Sequence, residues 1–225
     1  MIFFRKAVLI IHGFAGGTYD EERLANYLER RMGLDVFTFT LPGHEKKSFK
    51  TVKYTEWISA SEKMLNTLVD YGYKDIYVIG HSMGGVIASY LASKYSCIKK
   101  VVLAAPAFSY MTTTNKTVDK IKGGIEALKK NDTDEVLTRF LKLPVTSINE
   151  FMLLVKKYKD TYLKIKVPVL MIQGDKDTIV PMQSTVNVYN DLNVINKKLV
   201  IIKGGTHDIF RGKSEEPFIE VDKFL

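Results

Sequence analysis

Apolar residues recur along this chain in six short continuous runs, at 7–11, 35–40, 75–79, 100–104, 167–173 and 198–202. A strand with one wet face alternates apolar and polar residues, whereas a strand covered on both faces is apolar throughout. These runs therefore predict strands of a parallel sheet buried on both sides. The segments between them change to helical spacing. Residues 21–31 place Leu24, Tyr27 and Leu28 on one face, 57–69 place Trp57, Met64, Leu65 and Leu68 on another, and 82–94 and 182–192 supply two more helices. Strand and helix in alternation predict an α/β fold, a doubly wound and mostly parallel sheet of about six strands joined by right-handed crossovers.

Residues 107–163 interrupt the alternation. The stretch is long, helical in period and contains no convincing strand. Val118, Ile121, Ile125 and Leu128 form one amphipathic face, broken at Asn131-Asp132. Val136, Leu137, Phe140 and Leu141 form a second, ended by Pro144, and 149–158 give a third. The expected organisation is a core built from 1–106 and 164–225, with 107–163 inserted as a helical cap. Packing of these faces on one another is the simpler account of most of their apolar residues.

Composition narrows the class. With 46% hydrophobic and 26% charged residues over 225 positions, the chain suits one soluble domain with an insertion. The longest apolar runs fall far short of the roughly 18 residues of a membrane span. Cys97 is the single cysteine, which excludes an intrachain disulfide and a cysteine-rich metal site. The opening residues do not read as a secretory signal, and a reducing cytoplasm is the expected setting. The net charge of +8 comes largely from scattered lysine doublets such as Lys99-Lys100 and Lys197-Lys198 near segment ends. That pattern describes solvated edges rather than the basic stripe with interleaved aromatics of a nucleic-acid binder.

The strongest chemical signal is Gly80-His81-Ser82-Met83-Gly84-Gly85, which follows one predicted strand and opens one predicted helix. A G-x-S-x-G segment in that context forms a nucleophile elbow, a tight turn that lifts the serine Oγ clear of the sheet. The glycines remove side chains that would collide there. A helix-capping serine in a glycine-rich turn is the plain structural alternative. Serine needs a base, and only four histidines are present. His81 lies within the nucleophile's own turn and points elsewhere, while His12 and His44 follow the first two strands. His207, in Gly204-Gly205-Thr206-His207-Asp208 just after the last strand, sits where loops at the carboxyl ends of a parallel sheet converge. A carboxylate should orient it from the loop after the preceding strand, where Asp175 and Asp177 compete and spacing does not choose between them.

The order Ser82, Asp177, His207, with His12-Gly13-Phe14-Ala15-Gly16-Gly17 after the first strand, resembles the α/β-hydrolase superfamily over nearly the whole chain. It is most similar to the small bacterial carboxylesterases and monoacylglycerol lipases. The resemblance implies that the second aspartate of Gly174-Asp175-Lys176-Asp177 is the triad acid, leaving Asp175 as a turn residue. It also implies an oxyanion hole from the backbone N–H groups of Phe14 and Met83, and a supporting role for His44 in Leu41-Pro42-Gly43-His44. The chain departs from larger relatives in starting almost directly at the strand before His12-Gly13, where they carry an antiparallel hairpin.

A serine triad attacks an acyl carbon, and Phe14, Met83, Phe108, Met111 and Ile179 are the apolar residues expected to line a pocket for an acyl chain. Cleavage of small carboxylic esters is therefore the expected activity, with an acyl thioesterase as runner-up and a non-catalytic ligand-binding member of the fold as a third reading. No feature supports a peptidase. The triad and two N–H groups suffice for acyl transfer and the histidines are dispersed, so no metal and no organic cofactor are expected.

Overall fold

The computed structural model describes residues 6–30, 34–45, 50–109 and 143–225. Six parallel strands form one sheet in the order β2-β1-β3-β4-β5-β6: β1 (Lys6–Ile11), β2 (Leu34–Thr38), β3 (Ile76–His81), β4 (Ile98–Ala104), β5 (Val169–Gly174) and β6 (Lys197–Ile202). All six expected strands are present, with ends displaced by a residue or two. β3 runs on to His81, because the ladder to β4 continues as far as His81 opposite Ala104.

Alternation of side chains across each strand builds two cores. Ala7, Leu9 and Ile11 of β1 and Val78 of β3 join one core, whereas Val8, Ile10, Tyr77 and Ile79 join the other. On the first face lie α2 (Tyr54–Asp70), α3 (Met83–Lys94), α4 (Val145–Tyr158) and α5 (Met182–Asp191), which contribute Trp57, Leu65, Ile87, Leu154 and Val188. On the second face lie α1 (Glu22–Glu29) and α6 (Glu216–Phe224), which contribute Leu24, Leu28, Phe218 and Val221. β1, β3 and β5 are buried almost throughout, as continuous apolar runs require, while β2 and β6 at the sheet edges are partly exposed.

Two elements differ from the sequence expectation. α2 begins at Tyr54 because the Glu56 carboxylate accepts the Lys53 N–H at 3.0 Å, satisfying a donor at the helix start. α6 has no counterpart in the reading of the sequence. It has only nine residues, and its inward apolar positions, Phe218, Val221 and Phe224, stand beside the exposed Ile219 in a stretch too short to register as a period.

Of the expected cap, residues 107–109 and 143–163 fall among the described residues. α4 starts at Val145, just after Pro144, and is followed by a short 3-10 turn at Lys159–Lys164. The faces expected at 118–128 and 136–141 lie outside the described residues. α4 packs on α2 and α3: the Tyr54 N–H donates to Glu150 Oε2 at 2.9 Å, and Tyr158 meets Tyr90 with ring centroids 4.7 Å apart.

Strand order reverses at β1, whose neighbours β2 and β3 lie on opposite sides, and ligands of open parallel sheets bind at the carboxyl ends beside such a point. The loops after β1 and β3 both emerge there. A prediction follows for the second face: Phe218→Ala, which empties a fully docked ring, should lower the unfolding free energy by about 3–5 kcal/mol in denaturant titration. A loss below about 0.5 kcal/mol, the level of an ordinary surface change, would mean that α6 does not close this core.

Candidate active site

β3 enters the elbow at Gly80, and α3 leaves it at Met83. Ser82 between them has φ 54° and ψ −116°, outside the comfortable range of an L-residue. The turn closes because two glycines permit backbone contact. A Cβ on Gly80 would stand 2.2 Å from the Gly84 carbonyl oxygen, and one on Gly84 would stand 2.1 Å from that of Ile11. Ser82 makes no side-chain capping bond to α3, which disposes of the capping-serine alternative. Its backbone is pinned instead: Ser82 N–H donates to Ala104 O at 2.9 Å, and Ser82 O accepts the N–H of Gly85 at 2.9 Å and of Ala107 at 3.1 Å.

The freed hydroxyl meets His207, with Oγ 2.9 Å from Nε2. On the other side of the ring, Nδ1 lies 2.8 Å from Asp177 Oδ2. Asp177 Oδ1 accepts the backbone N–H groups of Ile179 at 2.8 Å and Val180 at 2.9 Å, so its Asx turn leaves the second oxygen aimed at the ring. Burial pushes the Asp177 carboxyl up, but the bond and charge of His207 together with these two N–H groups outweigh it and hold the carboxyl below its ordinary range. The competing aspartate is occupied elsewhere: Asp175 Oδ1 accepts the Gly204 N–H at 2.7 Å, tying together the loops after β5 and β6.

Gln173 was not singled out in the sequence. Fully buried at the end of β5, it donates Nε2–H to Asp177 Oδ2 at 2.8 Å and accepts from Thr185 Oγ1 at 2.6 Å. Its signal was a glutamine inside an otherwise apolar run, where a polar group must find partners. Glu21, the first residue of the helix expected at 21–31, is buried and bonded to His81, with Oε1 3.0 Å from Nδ1.

His12 and His44 are buried and neutral. His12 Nε2 accepts the Leu41 N–H at 3.0 Å while Nδ1–H donates to Gly13 O at 2.8 Å. Burial, aided by His44, lowers its pKa to about 3. His44 packs edge-on against His12 and Trp57, and burial lowers it to about 4.

A small cleft beside Ser82 is lined by Gly13, Phe14, Gly16, Asp20, His81, His207 and Asp208. Of the residues expected around an acyl chain, Phe14 borders this cleft. Met83 and Phe108 are buried in the first-face core, with Ile179 packed against it, and Met111 lies outside the described residues. Phe14 stacks on Phe151 of α4 at 4.9 Å and meets Trp57 edge-on at 5.7 Å. The loop that carries it turns through Ala15 at φ 62°. Met83 heads α3, where backbone N–H groups have no acceptor within the helix.

Comparison with known proteins matches residues 6–139 to a family model described as alpha/beta hydrolase fold. Residues 114–214 match one described as serine aminopeptidase S33. A thermostable monoacylglycerol lipase of Bacillus sp. (strain H-257) is 24% identical, over 89% of this chain and 82% of the relative. A carboxylesterase of Bacillus subtilis is 23% identical, over 94% and 88%. The solved monoacylglycerol lipase of Paleococcus ferrophilus superposes with a TM-score of 0.74 at 21% identity, covering 97% of this chain and 93% of that one.

The lowered carboxyl pKa gives a stability test. A folded value below the unfolded one makes ionised Asp177 stabilising above the unfolded value, and this contribution is lost as pH falls through the folded value. The stability advantage of the native protein over Asp177→Asn, measured by denaturant from neutral pH down to about pH 2, should therefore shrink on acidification. An advantage that stays constant or grows would contradict the lowered pKa.

Proposed function

The chain belongs to the alpha/beta hydrolase fold family, and from that premise we propose that it is a serine esterase that cleaves small carboxylic esters through an acyl-enzyme on Ser82. The observation that carries the reading is the continuous chain of bonds from Ser82 Oγ through His207 to Asp177, formed at the cleft beside the switch point of the sheet.

In this mechanism His207 Nε2 takes the Ser82 proton as Oγ attacks the ester carbonyl carbon. Asp177 holds the imidazole in the tautomer with hydrogen on Nδ1 and stabilises the imidazolium that forms. The backbone N–H groups of Phe14 and Met83 receive the oxyanion, the second of them at the positive end of α3. Collapse of the tetrahedral intermediate expels the alcohol, which takes the proton from Nε2. Water then attacks the Ser82 acyl ester with His207 again as base, releasing the acid and restoring the serine.

Phe14, which borders the cleft, packs on the buried rings of Trp57 and Phe151, so the oxyanion loop is joined to α4, which supports 107–163 as the cap that limits acyl length. A reducing compartment suits a chain whose single cysteine is Cys97. Among the described residues no helix is long and apolar enough to cross a membrane.

Ser82→Ala should fold normally and lose nearly all hydrolysis of p-nitrophenyl esters, together with labelling by a fluorophosphonate. Retained turnover in a preparation free of other esterases would overturn the assignment. Aryl esters, monoacylglycerols, acyl-thioesters of equal chain length and aminoacyl anilides should rank with oxygen esters first. A preference for thioesters or anilides would replace the esterase reading with a thioesterase or a peptidase. Phe151→Ala should shift the preferred acyl length, and activity should survive EDTA. An unchanged length profile in the folded variant would remove α4 from the acyl pocket.

A further inference from the structure

His81, the residue between Gly80 and Ser82, has no part in the proton transfers above, yet it is 5% exposed and both its ring nitrogens are engaged. Nδ1 lies 3.0 Å from Glu21 Oε1, and Nε2 lies 2.9 Å from the backbone oxygen of His207. Glu21, 1% exposed, is the residue immediately before α1. One buried pair therefore spans three loops, those after β1, β3 and β6.

The proton count is constrained by chemistry. A carbonyl oxygen only accepts, so Nε2 must carry hydrogen and donate to His207 O. The Nδ1 to Oε1 contact also needs one proton between its atoms, held by either partner. Both arrangements leave the pair neutral overall and the donation to His207 intact. Burial pushes His81 down, but the bond and charge of Glu21 outweigh it and raise its pKa to about 9, while burial raises the Glu21 carboxyl to about 7, so the proton of this contact is closely shared and the Nε2–H donation is kept wherever it rests. Among the described residues the other charged and titratable groups around the pair are the His207 ring, whose centroid lies 5.1 Å from that of His81, His12 just after β1, Asp20 beside Glu21, and Asp208 beside His207, with Arg211 bonded to Asp20 at 3.2 Å and 3.8 Å from Asp208. Asp20 also accepts the Gly17 N–H at 3.2 Å, closing the loop that carries Phe14.

We propose that His81, supported by Glu21, is a positioning residue, whose Nε2–H bond to the His207 carbonyl fixes the backbone from which the catalytic imidazole reaches Ser82. The proposal rests on the reading of Ser82 and His207 as nucleophile and base. Only two side-chain torsions separate the His207 backbone from its ring, so a shift of this carbonyl is passed to Nε2. A displacement of about 1 Å at a reacting group can cost about 100-fold in rate.

The test uses the full chain with a p-nitrophenyl ester and compares Glu21→Gln, His81→Gln and the double variant His81→Phe/Glu21→Gln, which removes the ring donor without stranding a buried carboxylate. The double variant should fold, lose about 10- to 100-fold in kcat with KM within about twofold, and react with a fluorophosphonate more slowly by a similar factor. His81→Gln, which can still offer an N–H, should recover at least about tenfold of the loss, and Glu21→Gln should stay within about threefold of the parent. A folded double variant with parental kcat, or a loss that His81→Gln does not relieve, would overturn the proposal. Nitrogen-15 NMR of the unmodified protein supplies a reading that no variant's folding can obscure: His81 should show a protonated Nε2 with slow solvent exchange, and an unprotonated Nε2 would equally overturn it. Ser82→Ala, run alongside, separates the two claims. An inert Ser82→Ala with a fully active double variant removes only the positioning role, whereas an active Ser82→Ala removes the mechanism on which it rests.

Discussion

Ser82 occupies a backbone conformation that costs an L-residue about 1–3 kcal/mol, and the active-site arrangement depends on that turn being held. The cost is met by contacts that leave the segment no alternative. Gly84 lies against the backbone of β1, Gly80 against that of α3, and the Ser82 N–H and carbonyl are bonded to Ala104, Gly85 and Ala107. Relaxing the turn would open these contacts together. The result is a hydroxyl that can neither cap its own helix nor retreat into the sheet, and is left facing His207.

The chemistry then follows from where parallel strands end. β1, β3, β5 and β6 deliver the Phe14 loop, the elbow, Asp177 and His207 to one edge of the sheet, and each group is locked by bonds to its own loop before it bonds to the next. Asp177 illustrates the principle: two backbone N–H groups and Gln173 fix the carboxylate, so its bond to His207 is preorganised. Burial of His207 at 2% exposure, beside a side chain of Asp177 that is fully covered, keeps water from competing for these bonds.

Much of this was legible in the sequence because it rests on local rules. Continuous apolar runs marked the strands, and the glycines around Ser82 marked the elbow, since both reflect short-range sterics and two-sided burial. His207 emerged because a chain with four histidines offers few candidates after the last strand. The choice of Asp177 over Asp175 was a different matter: both residues lie on the same loop, and what separates them is an Asx turn against a clip to Gly204. Glu21 was illegible for a stronger reason. Its partner His81 is 60 positions away, and nothing local distinguishes a buried helix-start glutamate from a solvated one. α6 was illegible because Phe218, Val221 and Phe224 of a short helix acquire meaning only when Leu24 and Leu28 of α1 lie beside them in the same core.

An acyl-enzyme on Ser82 is a covalent species, and trapping it is the most direct test of the proposed mechanism. The protein would be mixed with a slowly deacylating aryl ester, quenched in acid within a single turnover, digested and read by peptide mass spectrometry. An added acyl mass is expected on the peptide that contains Ser82, absent from Ser82→Ala and disappearing as product acid forms. Turnover without any acyl adduct, or an adduct on a residue other than Ser82, would contradict it.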